Sequence, residues 1–390
     1  MVKPFQFARL PKIYFGGAKI NELPGIVSYF GKSILLVTGA RSFIDSRRAG
    51  RLFDLFGSSG IAFQHVFVRS EPSPVTVDET VQKFRGREIN AVVSIGGGSV
   101  IDAGKAISAM LGKTGSVTEY LEVVGDKEHP GTKVPFIAVP TTSGTGSEAT
   151  KNAVISEVGK DGFKRSLRHD NFVPDAAIID PELTLDCPPD ITAAAGMDCF
   201  TQLTEAYLST KSNEYTDTLA LEGIRAVNRS LLRSFTHGDD INARSDMSFA
   251  ALTSGICLAN AGLGAVHGLA GTIGAIYDIP HGVVCGTLMS VANEMNVREL
   301  RKRGGDEAAL VKYAVMGRIF ADATGKNESY YVDFFLDYLN AVTYRLDLPK
   351  LSRYGIGINE LPAISLESDV KNNPVPLSSE QFEEILTRRL

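Results

Sequence analysis

The sequence predicts a chain of two domains: an α/β domain built on a parallel sheet, followed by a domain of helices only. First, 390 residues are more than one small hydrophobic core usually organises. Second, short apolar runs alternate with helical patterns through the first half of the chain, as is typical of parallel strands covered on both faces. Third, helical patterns take over after Pro188 and Pro189. We therefore predict domains of residues 1–184 and 185–390.

Five strands and three helices are predicted in the first domain from apolar runs and helical periodicity bounded by turn residues. The strands are 33–38, 62–69, 91–95, 136–139 and 176–180, and the helices are 46–56, 75–84 and the segment from the triple glycine to about Leu111. In the second domain, a stripe of Phe200, Leu203 and Tyr207 indicates one helix. Further helical patterns cover residues 218–234, 243–271, 282–297, 307–324 and 329–346, and the tail from Ser378.

The composition is that of an ordinary soluble protein, with 44% hydrophobic and 22% charged residues. A net charge of −5 argues against a surface that coats nucleic acid. The sequence shows no apolar run of signal-peptide or membrane-spanning length, so we expect a cytoplasmic protein without nucleic-acid or membrane partners. The four cysteines form no CxxC pair, and three lie in apolar surroundings, which favours buried free thiols in a reducing compartment.

Two glycine-rich loops follow predicted strands and are suited to bind phosphates. Gly96-Gly97-Gly98-Ser99 opens a helix, where backbone N–H groups and the helix N-terminus attract a pyrophosphate. A tight strand-to-helix turn is the alternative for this cluster alone. Residues 141–147, Thr-Thr-Ser-Gly-Thr-Gly-Ser, also follow a strand. Because neighbouring parallel strands place such loops at one edge of the sheet, the pair predicts a nucleotide site, although the GxGxxG fingerprint is absent from the sequence.

A carboxylate and two imidazoles lie in apolar, small-residue helical sequence: Asp198, His267 and His281. Burying such groups is costly unless something pairs with them. A divalent cation is a natural partner, because it accepts one anionic oxygen and two neutral nitrogens and can leave a position open for a substrate. For either histidine by itself, an imidazole satisfied by its core neighbours is the alternative. Metal and dinucleotide in one chain indicate hydride-transfer chemistry.

The motifs together resemble those of the iron-containing, or group III, alcohol dehydrogenase family. They are the GGGS-x-x-D-x-x-K segment from Gly96, the PTTSGTGSE segment from Pro140, Asp180-Pro-Glu-Leu-Thr184, Gly196-Met-Asp198, Pro280-His-Gly and Asn372-Asn-Pro374. The resemblance implies NAD(P)-dependent interconversion of an alcohol and an aldehyde or ketone by metal-assisted hydride transfer. It also implies the dehydroquinate synthase-like architecture, with the metal in the cleft between an N-terminal dinucleotide domain and a helical C-terminal domain.

The resemblance also carries over coenzyme contacts position by position. Three residues, Gly97, Gly98 and Ser99, would bind the pyrophosphate. The phosphates and the nicotinamide ribose would be lined by Thr141, Thr142 and Thr145, and Lys164 would contact ribose. The other implied coenzyme residues are Gly39, Arg41, Ser42, Asp102 and Thr184.

Gly39 bears on the choice of coenzyme. Family members that use NAD tend to carry Asp at this position, where its charge would repel a 2′-phosphate. Gly39 leaves room for that group, and Arg41 or Ser42 could donate hydrogen bonds to it. We therefore predict a preference for NADP(H) over NAD(H).

The metal site departs from the family pattern at two positions. The family has His four residues after the Asp, where this chain has Gln202, and a further His where it has Gly271. In one interpretation, Asp198, His267 and His281 hold Fe²⁺ or Zn²⁺ with Gln202 as a weak fourth ligand or orienting group, much as related glycerol dehydrogenases use one Asp and two His. In a second, the pocket is reshaped for an unusual substrate and binds metal weakly. In a third, the site is metal-free, as in maleylacetate reductases.

Two rival functions come from other classes. A lyase resembling dehydroquinate synthase would need a Glu ligand and many basic residues for a phosphorylated sugar acid, which Asp198 and the apolar segment 261–277 fit poorly. A nucleotide-binding relative that has lost catalysis draws support from Gln202 and Gly271. The expected partner is a small-molecule alcohol or aldehyde whose identity the residues leave open. Look-alikes are commonly dimers, which implies a homodimer.

Overall fold

The structure, a computed structural model, describes residues 2, 4–304 and 307–390. The chain forms two compact units. The α/β unit consists of Ala8–Glu157 and Gly162–Cys187, and the helical unit consists of Met1–Phe7, Val158–Asp161 and Pro188–Leu390. Most of each unit therefore comes from one half of the chain, and two short segments of the first half group with the helices.

Within the described residues, eight strands lie in the α/β unit. In chain order they are β1 (Lys12–Phe15), β2 (Ser33–Gly39), β3 (Ala62–Val68), β4 (Ala91–Gly96), β5 (Phe136–Pro140), β6 (Asn152–Glu157), β7 (Phe163–Arg168) and β8 (Ala176–Ile179). β6 and β7 form an antiparallel pair, and the other six form one parallel sheet in the order β1-β8-β5-β4-β2-β3. The predicted parallel α/β domain is confirmed.

The sheet is buried on both faces because successive apolar side chains point to opposite sides of its strands. In β2, Ile34 and Leu36 pack into one core while Leu35 and Val37 pack into another. Four helices cover the sheet: α1 (Leu23–Ser28), α2 (Arg47–Ser58), α3 (Pro74–Phe84) and α4 (Gly98–Met110). α1 and α2 contribute to the first core, and α3 and α4 contribute to the second.

The loops after β2, β4 and β5 leave the sheet at the same edge. β4 pairs in parallel with both β2 and β5, and Gly96 at the end of β4 lies opposite Pro140 at the end of β5. The backbone N–H of Thr141 donates to the carbonyl of Gly96 over 3.0 Å. The predicted convergence of the two glycine-rich loops at one edge of the sheet is therefore confirmed.

The sequence pattern did not indicate β1 or the β6–β7 pair. β7 reads Phe-Lys-Arg-Ser-Leu-Arg, and only Leu167 in it is fully buried, opposite Ala153 of β6. β1 has four residues, none of them fully buried. Short strands with charged or exposed outer residues lack the apolar run from which the other strands were predicted.

The helical unit begins with α5 (Pro189–Leu208) and continues with α6 (Glu214–Thr236), α7 (Ile241–Ala261), α8 (Ala265–Ile276), α9 (His281–Arg303), α10 (Glu307–Phe320), α11 (Glu328–Arg345), α12 (Leu361–Glu367) and α13 (Ser379–Thr387). These helices share one apolar core, which confirms the predicted all-α domain. None of the described helices is by itself long and apolar enough to cross a membrane, although the bent pair α7–α8 passes that test of length and composition.

The predicted helix over residues 243–271 is wrong, because the chain breaks there into α7 and α8, which are bent by 98°. α7 ends at Ala261, and Gly262 follows with φ of +71°, a backbone conformation that favours glycine. A Cβ on Gly262 would also lie 2.4 Å from Asn372 Nδ2. The break starts a new helix at Ala265, so that His267 lies in the first turn of α8.

Gly104→Ala is expected to destabilise the α/β unit, because α4 packs closely on the sheet at this residue. A Cβ on Gly104 would lie 1.8 Å from Ser94 Oγ on β4 and 3.1 Å from Phe136 Cε2 on β5. Overpacking of this kind lowers the free energy of unfolding by about 1–3 kcal/mol.

The matched control is Gly50→Ala, at an exposed position of α2 with open space around a Cβ. It should raise the free energy of unfolding by about 0.5–1 kcal/mol, because alanine is the better helix former. Urea denaturation measures both effects. Equal midpoints for the two variants would contradict the close packing at Gly104.

Candidate metal centre

Asp198, His267 and His281 come from three helices and converge in the helical unit. Asp198 lies in the middle of α5, His267 in the first turn of α8, and His281 is the first residue of α9. The Nε2 atoms of His267 and His281 lie 3.3 and 3.9 Å from Asp198 Oδ1. Asp198 and His267 are buried, and His281 is partly exposed. The three residues singled out in the sequence therefore form one cluster.

Cys285 joins this cluster from one helical turn after His281 on α9. Its Sγ lies 3.6 Å from the Nε2 atoms of both histidines. With Asp198, the cluster offers four donor atoms that all lie within 4.8 Å of one another. The four cysteines, all within the described residues, form no disulfide, and three of them are buried as predicted, but Cys285 was not predicted as a possible ligand. The four-residue spacing from His281 was the available signal, because it places both side chains on one helix face.

Gln202 contacts the carboxylate of Asp198 from one turn further along α5. Its Nε2 donates to Asp198 Oδ1 over 3.2 Å, and its Oε1 accepts from Ser254 Oγ over 3.1 Å. A carboxylate only accepts hydrogen bonds, so the amide nitrogen has to face it. The amide oxygen, the atom that would ligate a cation, is thus turned to Ser254 of α7.

Glu205 orients His267 from the same face of α5. Its Oε2 accepts from His267 Nδ1 over 2.6 Å, and its Oε1 accepts from the backbone N–H of Val266 over 2.7 Å. The first bond holds a hydrogen on Nδ1, so that Nε2 is the ring atom left to bind a cation beside Asp198 and Cys285. Glu205 was not predicted, although its spacing of seven residues from Asp198 places the two carboxylates on one helix stripe.

The charges of this cluster depend on one another. Burial alone would raise the pKa of Asp198, but the two imidazoles and the Gln202 amide outweigh it and lower that pKa to about 2. Burial raises the pKa of the Cys285 thiol to about 12. Burial would lower the pKa of His267, whereas Cys285, Glu205 and Asp198 raise it well above its usual value. An oxygen, two imidazole nitrogens and a sulfur around one point fit a divalent transition metal, which would compete with protons for these atoms.

In the α/β unit, the two glycine-rich loops contact each other beside the start of α4. A Cβ on Gly98 would lie 2.7 Å from Thr145 Cγ2, and one on Gly97 would lie 3.4 Å from Thr142 Oγ1. α4 begins at Gly98 without a side-chain cap, so its first N–H groups have no partner within the helix. This end of α4 is suited to bind an anion such as a pyrophosphate.

Three predicted coenzyme residues have structural partners of their own. Asp102 is partly buried and accepts from the backbone N–H of Val154 over 3.1 Å. Lys164 forms an ion pair of 2.6 Å with Glu71. Thr184 is buried and donates to the carbonyl three residues earlier. These contacts stabilise the loops and the β6–β7 pair, and coenzyme contacts of the three residues stay predictions.

Gly39 ends β2, and Arg41 and Ser42 follow it in an exposed loop at the edge from which the glycine-rich loops leave. A Cβ on Gly39 would meet nothing closer than 3.9 Å. Neither packing nor backbone conformation therefore demands glycine here, and the space beside it is available to a ligand.

Comparison with known protein families gives two matches that together span nearly the whole chain. The model described as Iron-containing alcohol dehydrogenase matches residues 11–181. The model described as Fe-containing alcohol dehydrogenase family, C-terminal, matches residues 192–390.

Individual relatives agree with the family matches. Alcohol dehydrogenase 4 of Saccharomyces cerevisiae (strain YJM789) is 38% identical over 304 residues, which cover 76% of this chain and 78% of the relative. NADPH-dependent butanol dehydrogenase of Clostridium saccharobutylicum is 30% identical, covering 89% and 86%. NAD-dependent methanol dehydrogenase of Bacillus methanolicus is 36% identical, covering 56% and 57%. The crystal structure of a 1,3-propanediol oxidoreductase superposes with a TM-score of 0.88 at 26% identity and covers all of both chains.

Glu205→Gln is expected to weaken divalent metal binding by roughly 10- to 100-fold, the usual effect of losing a carboxylate that orients a ligating histidine. Gln has the same size as Glu205 but lacks the negative charge of the carboxylate that accepts a hydrogen bond from His267 Nδ1. Competition for Zn²⁺ against a chromophoric chelator measures the affinity. Glu222→Gln, an exposed change on α6, is the control and should bind as the wild type does. Equal affinity of both variants would contradict the orienting role.

Proposed function

The chain belongs to the iron-containing alcohol dehydrogenase family of NAD(P)-dependent enzymes, and we propose that it interconverts an alcohol and an aldehyde at a divalent cation held by Asp198, His267 and His281. One observation carries the proposal. Two imidazole nitrogens from two helices lie 3.3 and 3.9 Å from the oxygen of a carboxylate buried in a third. Such a buried group of donors is costly to assemble without a cation to bind.

A divalent cation supplies a Lewis acid that lowers the pKa of an alcohol or polarises a carbonyl. The negative charge of Asp198 would offset part of the cation's positive charge inside the helical core. Glu205 accepts from His267 Nδ1 and so directs Nε2 of the same ring toward the cation. Gln202 holds the carboxylate of Asp198 in place through its amide nitrogen. These residues would bind the cation and orient its ligands, and the hydride chemistry belongs to the coenzyme.

The coenzyme is proposed to bind the α/β unit at the edge formed by the loops after β2, β4 and β5. The start of α4 would bind the pyrophosphate, and the hydroxyls of Thr141, Thr142 and Thr145 would contact the phosphates and nicotinamide ribose. Gly271 stands where the family resemblance implies a further His, and a Cβ there would meet nothing within 4 Å. Without a side chain at Gly271, the proton of the alcohol would leave through solvent.

The donor cluster favours the metal-dependent interpretation over a metal-free reductase of the maleylacetate reductase type, because a metal-free site has no need of converging ligands. It also disfavours a relative that has lost catalysis. Gln202 is proposed to orient Asp198 and not to ligate, since its amide oxygen accepts from Ser254. The cytoplasmic location and the homodimer stay predictions.

NADP(H) is the proposed preferred coenzyme. Gly39 leaves open space beside the exposed Arg41 and Ser42, and a guanidinium is well suited to bind a 2′-phosphate. Relatives include both an NADPH-dependent butanol dehydrogenase and an NAD-dependent methanol dehydrogenase. The coenzyme preference of this chain is therefore inferred from its own residues Gly39, Arg41 and Ser42.

Removal of metal is expected to abolish turnover. Dialysis against a strong chelator should lower the rate of NADPH oxidation with a panel of aldehydes by at least about 100-fold, the usual scale for losing electrostatic stabilisation of this kind. Addition of Fe²⁺ or Zn²⁺ should restore it. Asp198→Asn should lose both metal and activity, while Asp190→Asn, an exposed change on the same helix, should keep both. A metal-free protein with full activity would refute the proposal.

Gly39→Asp is expected to reverse the coenzyme preference. The new carboxylate should lower kcat/KM for NADPH by about tenfold or more, since like charges placed together cost well over 1.4 kcal/mol. Gly39→Asn has the same size without the charge and should retain the preference for NADPH. Steady-state kinetics with both coenzymes measures the ratio. A wild type that prefers NADH, or a ratio that Gly39→Asp leaves unchanged, would contradict the prediction.

A further inference from the structure

We infer that Cys285 is a fourth protein ligand of the cation, so that the chain builds a tetrahedral Asp–His–His–Cys site suited to Zn²⁺. The inference rests on the proposed function, because it concerns the cation assigned to Asp198, His267 and His281. It adds a sulfur donor to that site and, through the sulfur, a preference for Zn²⁺. Three observations support it: distances, placement on α9, and the orientation of Gln202.

Three of the donor–donor distances in the cluster match those of a tetrahedral site. With bonds of about 2.0–2.1 Å to nitrogen and oxygen and about 2.3 Å to sulfur, neighbouring donors lie about 3.3 Å apart, or about 3.6 Å where one is sulfur. His267 Nε2 lies 3.3 Å from Asp198 Oδ1. Cys285 Sγ lies 3.6 Å from both His267 Nε2 and His281 Nε2. The gap of 3.9 Å between His281 and Asp198 is slightly wider, and all four atoms lie within 4.8 Å of one another.

A cation matches this geometry better than the single hydrogen of a thiol does. Cys285 carries one hydrogen, whereas two imidazole nitrogens lie at the same distance from its sulfur. The Nδ1 of His267 already faces Glu205, so its Nε2 has to meet the sulfur and the carboxylate oxygen together. A single cation among the four atoms would contact every donor at once. The thiol proton would pass to solvent when the sulfur binds the cation.

Cys285 stands in for the ligand that Gln202 does not provide. The resemblance places a His ligand at residue 202, but the Gln202 amide donates to Asp198 and accepts from Ser254. Cys285 approaches the same cluster from α9, one helical turn after His281, so both side chains lie on the same face of that helix. It is fully buried, as a structural ligand is.

The sulfur changes which metal the site prefers. A thiolate is a soft donor that favours Zn²⁺ over Fe²⁺, whereas imidazole and carboxylate accept either. Two anionic ligands also balance the charge of a divalent cation, which suits a buried site. The alcohol oxygen would then enter as a fifth donor, an expansion that catalytic zinc accommodates.

Cobalt substitution of the full-length protein tests the inference without relying on activity. Co²⁺ bound to a thiolate gives an intense near-ultraviolet charge-transfer band, and Co²⁺ bound only to nitrogen and oxygen gives the visible bands alone. We expect the wild type to bind one Co²⁺ and show the charge-transfer band, and Cys285→Ser to lose that band. Cys257→Ser is the matched control, because Cys257 is buried in α7 and its sulfur contacts the carbonyl of Thr216 instead; it should keep the band.

The outcomes separate the two proposals. A wild type that binds no Co²⁺ and no Zn²⁺ would overturn the proposed function itself. A wild type that binds Co²⁺ without the charge-transfer band, or a band that Cys285→Ser retains, would overturn only the role of Cys285. X-ray absorption on the Zn²⁺-loaded wild type gives a check that needs no variant: one sulfur at about 2.3 Å is expected, and a shell of nitrogen and oxygen alone would contradict it.

Discussion

Asp198 is a carboxylate buried inside a helical core, and the residues around it are arranged to compensate its charge. Left alone, such a group would be protonated or would destabilise the fold. Here two imidazoles and an amide lower its pKa to about 2. The same atoms that stabilise the anion form the site for a cation. Because protons and a metal stabilise the same carboxylate, metal binding and folding of the helical unit are linked.

The break between α7 and α8 makes this arrangement possible. If the helix continued through residue 264, His267 would lie mid-helix and its ring would follow the direction of α7. The glycines at 262 and 264 let α8 start beside Glu205, since a Cβ on Gly264 would lie 3.0 Å from Glu205 Oε1. Glu205 then accepts from a backbone N–H at the start of α8 and from His267 Nδ1. One carboxylate thereby caps the helix and orients the imidazole.

Much of the fold and part of the site could be predicted from the sequence. Strands with continuous apolar runs, such as β2 and β4, were recognisable because both faces are buried, and the loops after β4 and β5 followed from where those strands end. Asp198, His267 and His281 stood out as polar residues in apolar sequence. β7 has charged residues and a single buried apolar residue, Leu167, so it lacks the apolar run that marks the other strands. Cys285 was missed because a cysteine in apolar sequence is usually a core residue. Glu205 was missed because a glutamate on a helix is usually exposed to solvent. Only their spacing from His281 and Asp198 distinguishes the two residues from these common cases.

Anomalous diffraction from crystals of the metal-loaded protein, recorded at the absorption edge of the metal, tests the central claim most directly. A single peak is predicted in the helical unit, within about 2.0–2.3 Å of Asp198 Oδ1 and of the Nε2 atoms of His267 and His281. A map with no peak there, in which His267 still contacts Asp198 and Cys285 directly, would show that these groups satisfy one another and would contradict the metal centre.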